Sequence, residues 1–209
     1  LYRDEIKYIR NRVLNTKSKT NYNYHIGQYL PDWHPWENYK SFFVGNKRTN
    51  GCREIMAIDL PWIIKTFGEI KNMHVSGGNI SSLEVNYPDN YQLILEHENG
   101  NKGVITVDIV CRKAVRNLEV YGENIFLSWD GSALGLRDYN IETKEDKIID
   151  LYSEIDHQDG YSAFVVENAY KNELLSFFNQ VEKSEGQIYD FRDDKRTLEI
   201  IDTIERKVF

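Results

Sequence analysis

Hydrophobic positions along the chain change their period four times. Near the N-terminus Ile6, Ile9 and Val13 recur at steps of three and four, which predicts a helix over LYRDEIKYIRNRVL ending near Asn15. Over residues 20–30 the period drops to two, with Tyr22, Tyr24, Ile26 and Gln28 on one side of a strand and Asn23, His25 and Gly27 on the other. An irregular aromatic stretch and an amphipathic helix ending at Gly68 come next. Alternation then returns at Glu69 and persists for roughly eighty residues. It predicts strands at 70–76, 91–98, 104–111, 118–121, 125–129, 133–139 and 147–152, separated by turns such as Gly122-Glu123-Asn124 and Asp130-Gly131. The clearest pairing joins 91–98 to 104–111 through Asn99-Gly100-Asn101. Tyr91, Leu93, Leu95 and His97 share one side of the first strand, and Ile105, Val107, Ile109 and Cys111 make an apolar face on the second.

The end of the chain is helical again. Val166, Tyr170, Leu174, Phe177 and Val181 form a stripe stopped by Gly186. A second helix starts after Asp190, an N-cap with Asp193 three residues on, and carries Leu198, Ile201, Ile204 and Val208. A block of strands with helices before and after predicts an α+β fold: one open, mostly antiparallel sheet with helices packed on one face, as a single domain over residues 1–209. The chain has no GxGxxG after a strand, no GxxxxGK[ST] and no regular alternation of strand and helix, so it is not expected to hold a nucleotide-binding half of its own. It begins at Leu1 with an exposed helical stripe, which suggests a piece of a longer protein whose missing part lies upstream.

Composition narrows the partners. A formal net charge of -7 argues against nucleic acid, whose phosphates need a clustered positive field. No apolar run approaches the ~18 residues of a membrane span, and these residues include no basic-plus-apolar stretch of the kind expected of a leader. Cys52 and Cys111 are too far apart for a CxxC motif, and two free thiols fit a reducing cytoplasm.

Candidate chemistry concentrates in residues 27–68, which hold three of the four tryptophans and three of the four prolines. Asp32, His34 and Glu37 lie close together, and Glu54 and Asp59 sit on the following helix, so a carboxylate and imidazole site is conceivable. Trp33, Trp36 and Tyr39 could stack on a sugar or base face, but aromatics between loop and sheet are more often packing. A metal site is not expected, since His25 in the preceding strand is the only imidazole near His34 in sequence. His74, His97 and His157 read as solvent-facing or structural. The Gly160-Tyr161-Ser162 turn lacks the GxSxG pattern of a serine hydrolase.

Five segments together carry a resemblance: GQYLPDWHPWENYK, the helix that starts at NGC and ends WIIKTFG, YQLILEHEN, RNLEVYGENIFLSWDG and ENAYKNELLSFF. From about Arg3 to Arg206 the chain resembles the C-terminal domain of the Gfo/Idh/MocA oxidoreductases, in particular members associated with surface-polysaccharide and nucleotide-sugar biosynthesis. GQYLPDWHPW and LEVYGEN are the most specific parts. The resemblance implies a full-length protein whose upstream Rossmann domain binds NAD or NADP and carries a catalytic Lys in a Glu-Lys-Pro motif. It implies hydride transfer to or from a sugar or nucleotide-sugar hydroxyl or ketone. The sheet of such a domain underlies the substrate pocket and makes homodimer or tetramer contacts; here Val104, Thr106, Asp108 and Val110 form a mixed face suited to a partner subunit.

In that family the helix after the aromatic loop supplies an Asp, a His four residues on and an Asp three further, all on one helical face. Aligned through Phe67-Gly68, those positions are Glu54, Ile58 and Pro61, and only the first keeps a carboxylate. Asp59 lies about 100° round from Ile58, and Pro61 is expected to kink the helix or mark a fresh start. The implied catalytic candidates are Glu54 and His34, and the implied substrate-binding residues are Trp33, Trp36, Tyr39, Lys40, Arg53 and Asp59. The chain alone is expected to bind no cofactor and to lack dehydrogenase activity. Loss of the family's His supports an alternative, a non-catalytic sugar-binding or assembly module.

Overall fold

The computed structural model describes residues 1–155, 166–183 and 188–208. The first stripe folds as helix α1 (Asp4–Asn15), burying Ile6, Ile9 and Val13. Strand β1 (Thr20–Gly27) follows, and the aromatic stretch is irregular apart from short 3-10 turns at Leu30–Asp32, Phe43–Gly45 and Lys47–Thr49. Helix α2 spans Gly51–Phe67. Seven strands come next: β2 (Ile70–Gly78), β3 (Asn90–His97), β4 (Lys102–Asp108), β5 (Val115–Gly122), β6 (Ile125–Trp129), β7 (Arg137–Asn140) and β8 (Glu145–Ile148). Helices α3 (Asn168–Lys183) and α4 (Phe191–Arg206) complete the fold. His157, the Gly160-Tyr161-Ser162 turn and Gly186 lie outside the described residues.

All eight strands join one sheet in the order β2-β3-β4-β1-β5-β6-β7-β8. β1 runs parallel to β4 and antiparallel to β5, and the remaining neighbours are antiparallel. This is the expected mostly antiparallel α+β fold. Tyr22, Tyr24, Leu93, Leu95, Ile105, Val107, Leu118 and Val120 are buried on the helix-covered face. Each such side chain is worth about 1.5–3 kcal/mol relative to exposure. The opposite face presents Asn23, His25, Ile94, Val104, Thr106 and Glu119.

The ends of α2 are tied down by side chains. Asn50 caps its start by accepting from the Arg53 amide at 2.7 Å. At the other end the last carbonyl, of Phe67, accepts from the side-chain amides of Asn99 and Asn101 at 2.8 and 3.0 Å. Gly68 closes the helix at φ +103°, a backbone state that a side chain would strain. His97 links the same region, with Nδ1 against the Gly68 carbonyl at 2.6 Å and Nε2 against the Tyr22 hydroxyl at 3.0 Å.

Several expectations need correcting. α2 is continuous through Pro61, because the buried run Leu60, Pro61, Trp62, Ile63, Ile64 and Phe67 holds the helix on the sheet despite the missing amide. β1 stops at Gly27, and Leu30 begins a 3-10 turn instead of ending the strand. β4 stops at Asp108, whose side chain accepts from the amides of Val110 and Cys111 and so ends the ladder before Cys111. Residues 133–136 are a loop that precedes β7. The stripe expected to seat α3 is exposed, with Tyr170, Leu174, Phe177 and Val181 all more than half accessible. Among the described residues no helix is long and apolar enough to cross a membrane.

Candidate functional site

The loop between β1 and α2 is built in two layers. Its inner layer is packing: the Trp33 indole donates to the Gln28 carbonyl at 3.2 Å and lies beside the first turn of α2 at Gly51. Tyr39 accepts from the Glu84 amide at 3.2 Å, Lys40 pairs with the Glu84 carboxylate, and the Tyr87 hydroxyl donates to the Val44 carbonyl at 2.6 Å. These contacts fasten the loop to residues 79–89. That segment is itself organised by buried Asp89, which accepts from the Ile80 and Ser81 amides.

The outer layer is a stack. The His34 ring lies between Trp36 and Phe42, with centroids 5.0 and 4.4 Å away and nearly parallel planes. Its Nδ1 bonds the Glu37 carboxylate at 2.7 Å, leaving Nε2 without a partner among the described residues. Trp36 is 76% exposed. A flat, solvent-facing aromatic surface beside an imidazole nitrogen can receive the apolar face of a sugar ring and hydrogen-bond its rim.

α2 distributes its polar residues over three faces. Glu54 and Ile58 are one turn apart on the outward face; Ile58 is 55% exposed, and the half-buried Glu54 carboxylate has no partner among the described residues. Arg53 turns toward α4, bonding Asp202 and Glu205 at 2.7 Å each. Asp59 points to the sheet and is buried. It accepts from the Tyr24 hydroxyl at 2.8 Å, the Trp62 indole at 2.9 Å, and Arg116 at 2.7 and 2.9 Å. Burial opposes the Arg116 charge, but Asp59 and Tyr24 outweigh it and the guanidinium is held more firmly protonated than usual. Burial, reinforced by Asp59, pushes the Tyr24 phenol well up, so it stays a hydrogen-bond donor.

Of the eight residues singled out from sequence, His34 and Trp36 therefore meet on one surface, with Lys40 fastening its base. Trp33 and Tyr39 hold the loop, Glu54 stands free on α2, and Arg53 and Asp59 are committed to ion pairs inside the fold. The Asp59–Arg116 pair was not legible in sequence, because only the packing of α2 across β1 and β5 brings the two together. Also unforeseen is a cluster at the ends of the parallel strands, where His25, Asp108 and Cys111 have ligand atoms within 4.8 Å of one another.

Comparison with solved structures places the fold in a class. UDP-N-acetylglucosamine 3-dehydrogenase from Acidithiobacillus ferrooxidans is similar with a TM-score of 0.67 and 15% identity, over 98% of this chain and 60% of that one. A myo-inositol dehydrogenase from Corynebacterium glutamicum gives 0.68 and 19%, over 99% and 60%. An inositol dehydrogenase homologue complexed with NAD+ from Azotobacter vinelandii gives 0.74 and 13%, over 97% and 59%. At these identities the likeness shows the fold: the chain has that of Gfo/Idh/MocA-type dehydrogenases, consistent with their C-terminal domain. It spans about 60% of the length of these structures. No family model matches the chain, and none of the curated proteins compared with it matches.

Proposed function

We propose that this chain is the substrate-binding and oligomerisation domain of an NAD(P)-dependent oxidoreductase that acts on a sugar or nucleotide-sugar hydroxyl or ketone in the cytoplasm. The observation that carries this reading is the fold match over nearly the whole chain to dehydrogenases whose names specify inositol and a sugar nucleotide. The site supports it with an exposed His34–Trp36 stack and a Glu54 carboxylate that has no partner among the described residues. In this reading Trp36 receives the ring face and Glu54 accepts a hydrogen bond from a hydroxyl. His34 Nε2 is the atom at which a proton would be held. Trp33, Tyr39 and Lys40 keep the loop in place, and Arg53 and Asp59 fix α2 from behind.

The dinucleotide is proposed to bind elsewhere. β1 and α2 are separated by the whole aromatic loop, and among the described residues no strand runs through a glycine-rich turn into a helix. We assign NAD or NADP to a part of the longer protein outside this chain.

The open sheet face supports a homodimer or tetramer. Ile94 lies opposite Val104 and Tyr121 opposite Phe126, and all four are more than a third exposed. Apolar pairs repeated across an uncovered sheet favour a partner subunit.

One observation favours a second reading. Ile58 occupies the position at which the family resemblance implies an imidazole, and no other imidazole lies on α2. That supports a sugar-binding or assembly module without turnover. The two readings separate in the longer protein: for the enzyme, Glu54→Gln and His34→Ala each lower kcat by at least about tenfold. Unchanged kinetics in both variants would contradict the catalytic assignment.

A further inference from the structure

At the C-terminal ends of β1 and β4, three side chains from two parts of the chain converge. His25 Nε2 lies 2.7 Å from Asp108 Oδ2, and the Cys111 thiol completes a group whose ligand atoms all fall within 4.8 Å. The arrangement is held by backbone. Asp108 Oδ1 accepts from the Val110 amide at 3.0 Å and the Cys111 amide at 2.7 Å, which orients the carboxylate and presents the cysteine beside it. Gly27 pairs with Asp108 across the parallel ladder, and a Cβ there would meet the Asp108 carboxylate at 2.5 Å. The glycine is what allows that carboxylate to lie over β1 and reach His25.

We propose that His25, Asp108 and Cys111 form a binding site for a borderline divalent transition metal of the zinc class. Imidazole nitrogen, carboxylate oxygen and thiolate sulfur together are a ligand set that selects such an ion over magnesium or calcium. Tetrahedral zinc with ordinary bond lengths separates its ligand atoms by about 3.2–3.7 Å, so closure requires the His25–Asp108 edge to open from 2.7 Å and the longest edge, no more than 4.8 Å, to contract by up to about 1 Å. Rotation of the Cys111 side chain would supply that contraction, since among the described residues its thiol is held only by the Lys113 carbonyl at 3.0 Å. Binding displaces the thiol proton and replaces the His25–Asp108 hydrogen bond, with His25 coordinating through Nε2 and carrying its ring proton on Nδ1. Three protein ligands leave a fourth position for water or an external donor. The site is separate from the His34–Trp36 surface and does not depend on the oxidoreductase reading.

The test is titration of the reduced, chelator-treated full chain with Co2+, followed by displacement with Zn2+. The site predicts saturation at one equivalent with a sulfur-to-cobalt charge-transfer band that Zn2+ abolishes. Cys111→Ser removes the band, Cys52→Ser leaves it unchanged because Cys52 is fully buried, and His25→Gln weakens binding by about tenfold or more. Melting curves with chelator present establish that each variant is folded. Absence of a saturable band, a band that survives Cys111→Ser, or equal affinity in His25→Gln would overturn the proposal.

Discussion

Arg116 grips both oxygens of Asp59, at 2.7 and 2.9 Å, from a strand that reaches the carboxylate only because α2 lies across the sheet. Asp59 is 2% exposed, so its charge depends on that grip and on the Tyr24 and Trp62 donors. Removing one partner of a buried pair costs about 3–5 kcal/mol. Arg116→Met should fall near the lower end of that range, because the arginine side chain is 24% exposed. Chemical denaturation measures the loss; a change under about 0.5 kcal/mol would show that the pair is not what seats α2.

His97 gives the fold a pH dependence on the acid side. Burial lowers its pKa, only partly opposed by the bond to the Gly68 carbonyl. The unfolded chain then takes up the proton first, at about pH 6.5. Stability from this residue is complete above that pH and is lost as pH falls through it toward the lower folded value. Thermal melting between pH 8 and pH 5 should show Tm dropping at the acid end. His97→Gln should flatten that slope while lowering stability by about 1–3 kcal/mol.

Gly103 lies in β4 directly beneath the Tyr22 ring, and a Cβ there would sit 2.0 Å from the ring's Cζ. Tyr22 is itself stacked on Phe67 at 4.0 Å and cannot retreat without unpacking the end of α2. Gly103→Ala should therefore destabilise by about 1–3 kcal/mol. Wild-type stability would mean that the ring moves freely.

Val104 is 43% exposed and sits opposite Ile94 on the uncovered sheet face. Val104→Glu should convert a homodimer to monomers without loss of fold, read by sedimentation at micromolar concentration. A wild-type protein that is already monomeric there would contradict assembly through this face.

Much of the fold was legible because its elements bury one face at a regular period. Ile6, Ile9 and Val13 are buried as their spacing implies, and so are Tyr91, Leu93 and Leu95. Local chemistry was legible too: Asp190 accepts from the Asp193 amide and Asp193 from the Asp190 amide, the capping pair suggested by their spacing. What failed to show were contacts set by strand order. Nothing local says that β1 pairs in parallel with β4, yet that pairing alone brings His25 to Asp108. Ile109 and Cys111 continue the alternation of β4 in sequence, but the Asp108 side chain has already turned the backbone away. Asp59 reads as a pocket residue until Arg116 is placed opposite it.

The central claim is that the His34–Trp36 surface and Glu54 receive a sugar. The most direct measurement is titration of the chain, and of the proposed longer protein, with free sugars and nucleotide sugars, read by calorimetry and tryptophan fluorescence. Trp36 is 76% exposed whereas Trp62 and Trp129 are no more than 2% exposed, so a ligand on this surface should report mainly through Trp36. The account predicts saturable binding of a sugar compound, weakened about tenfold or more by Trp36→Ala and by Glu54→Gln. No binding by either protein across the panel, or binding untouched by both substitutions, would contradict it.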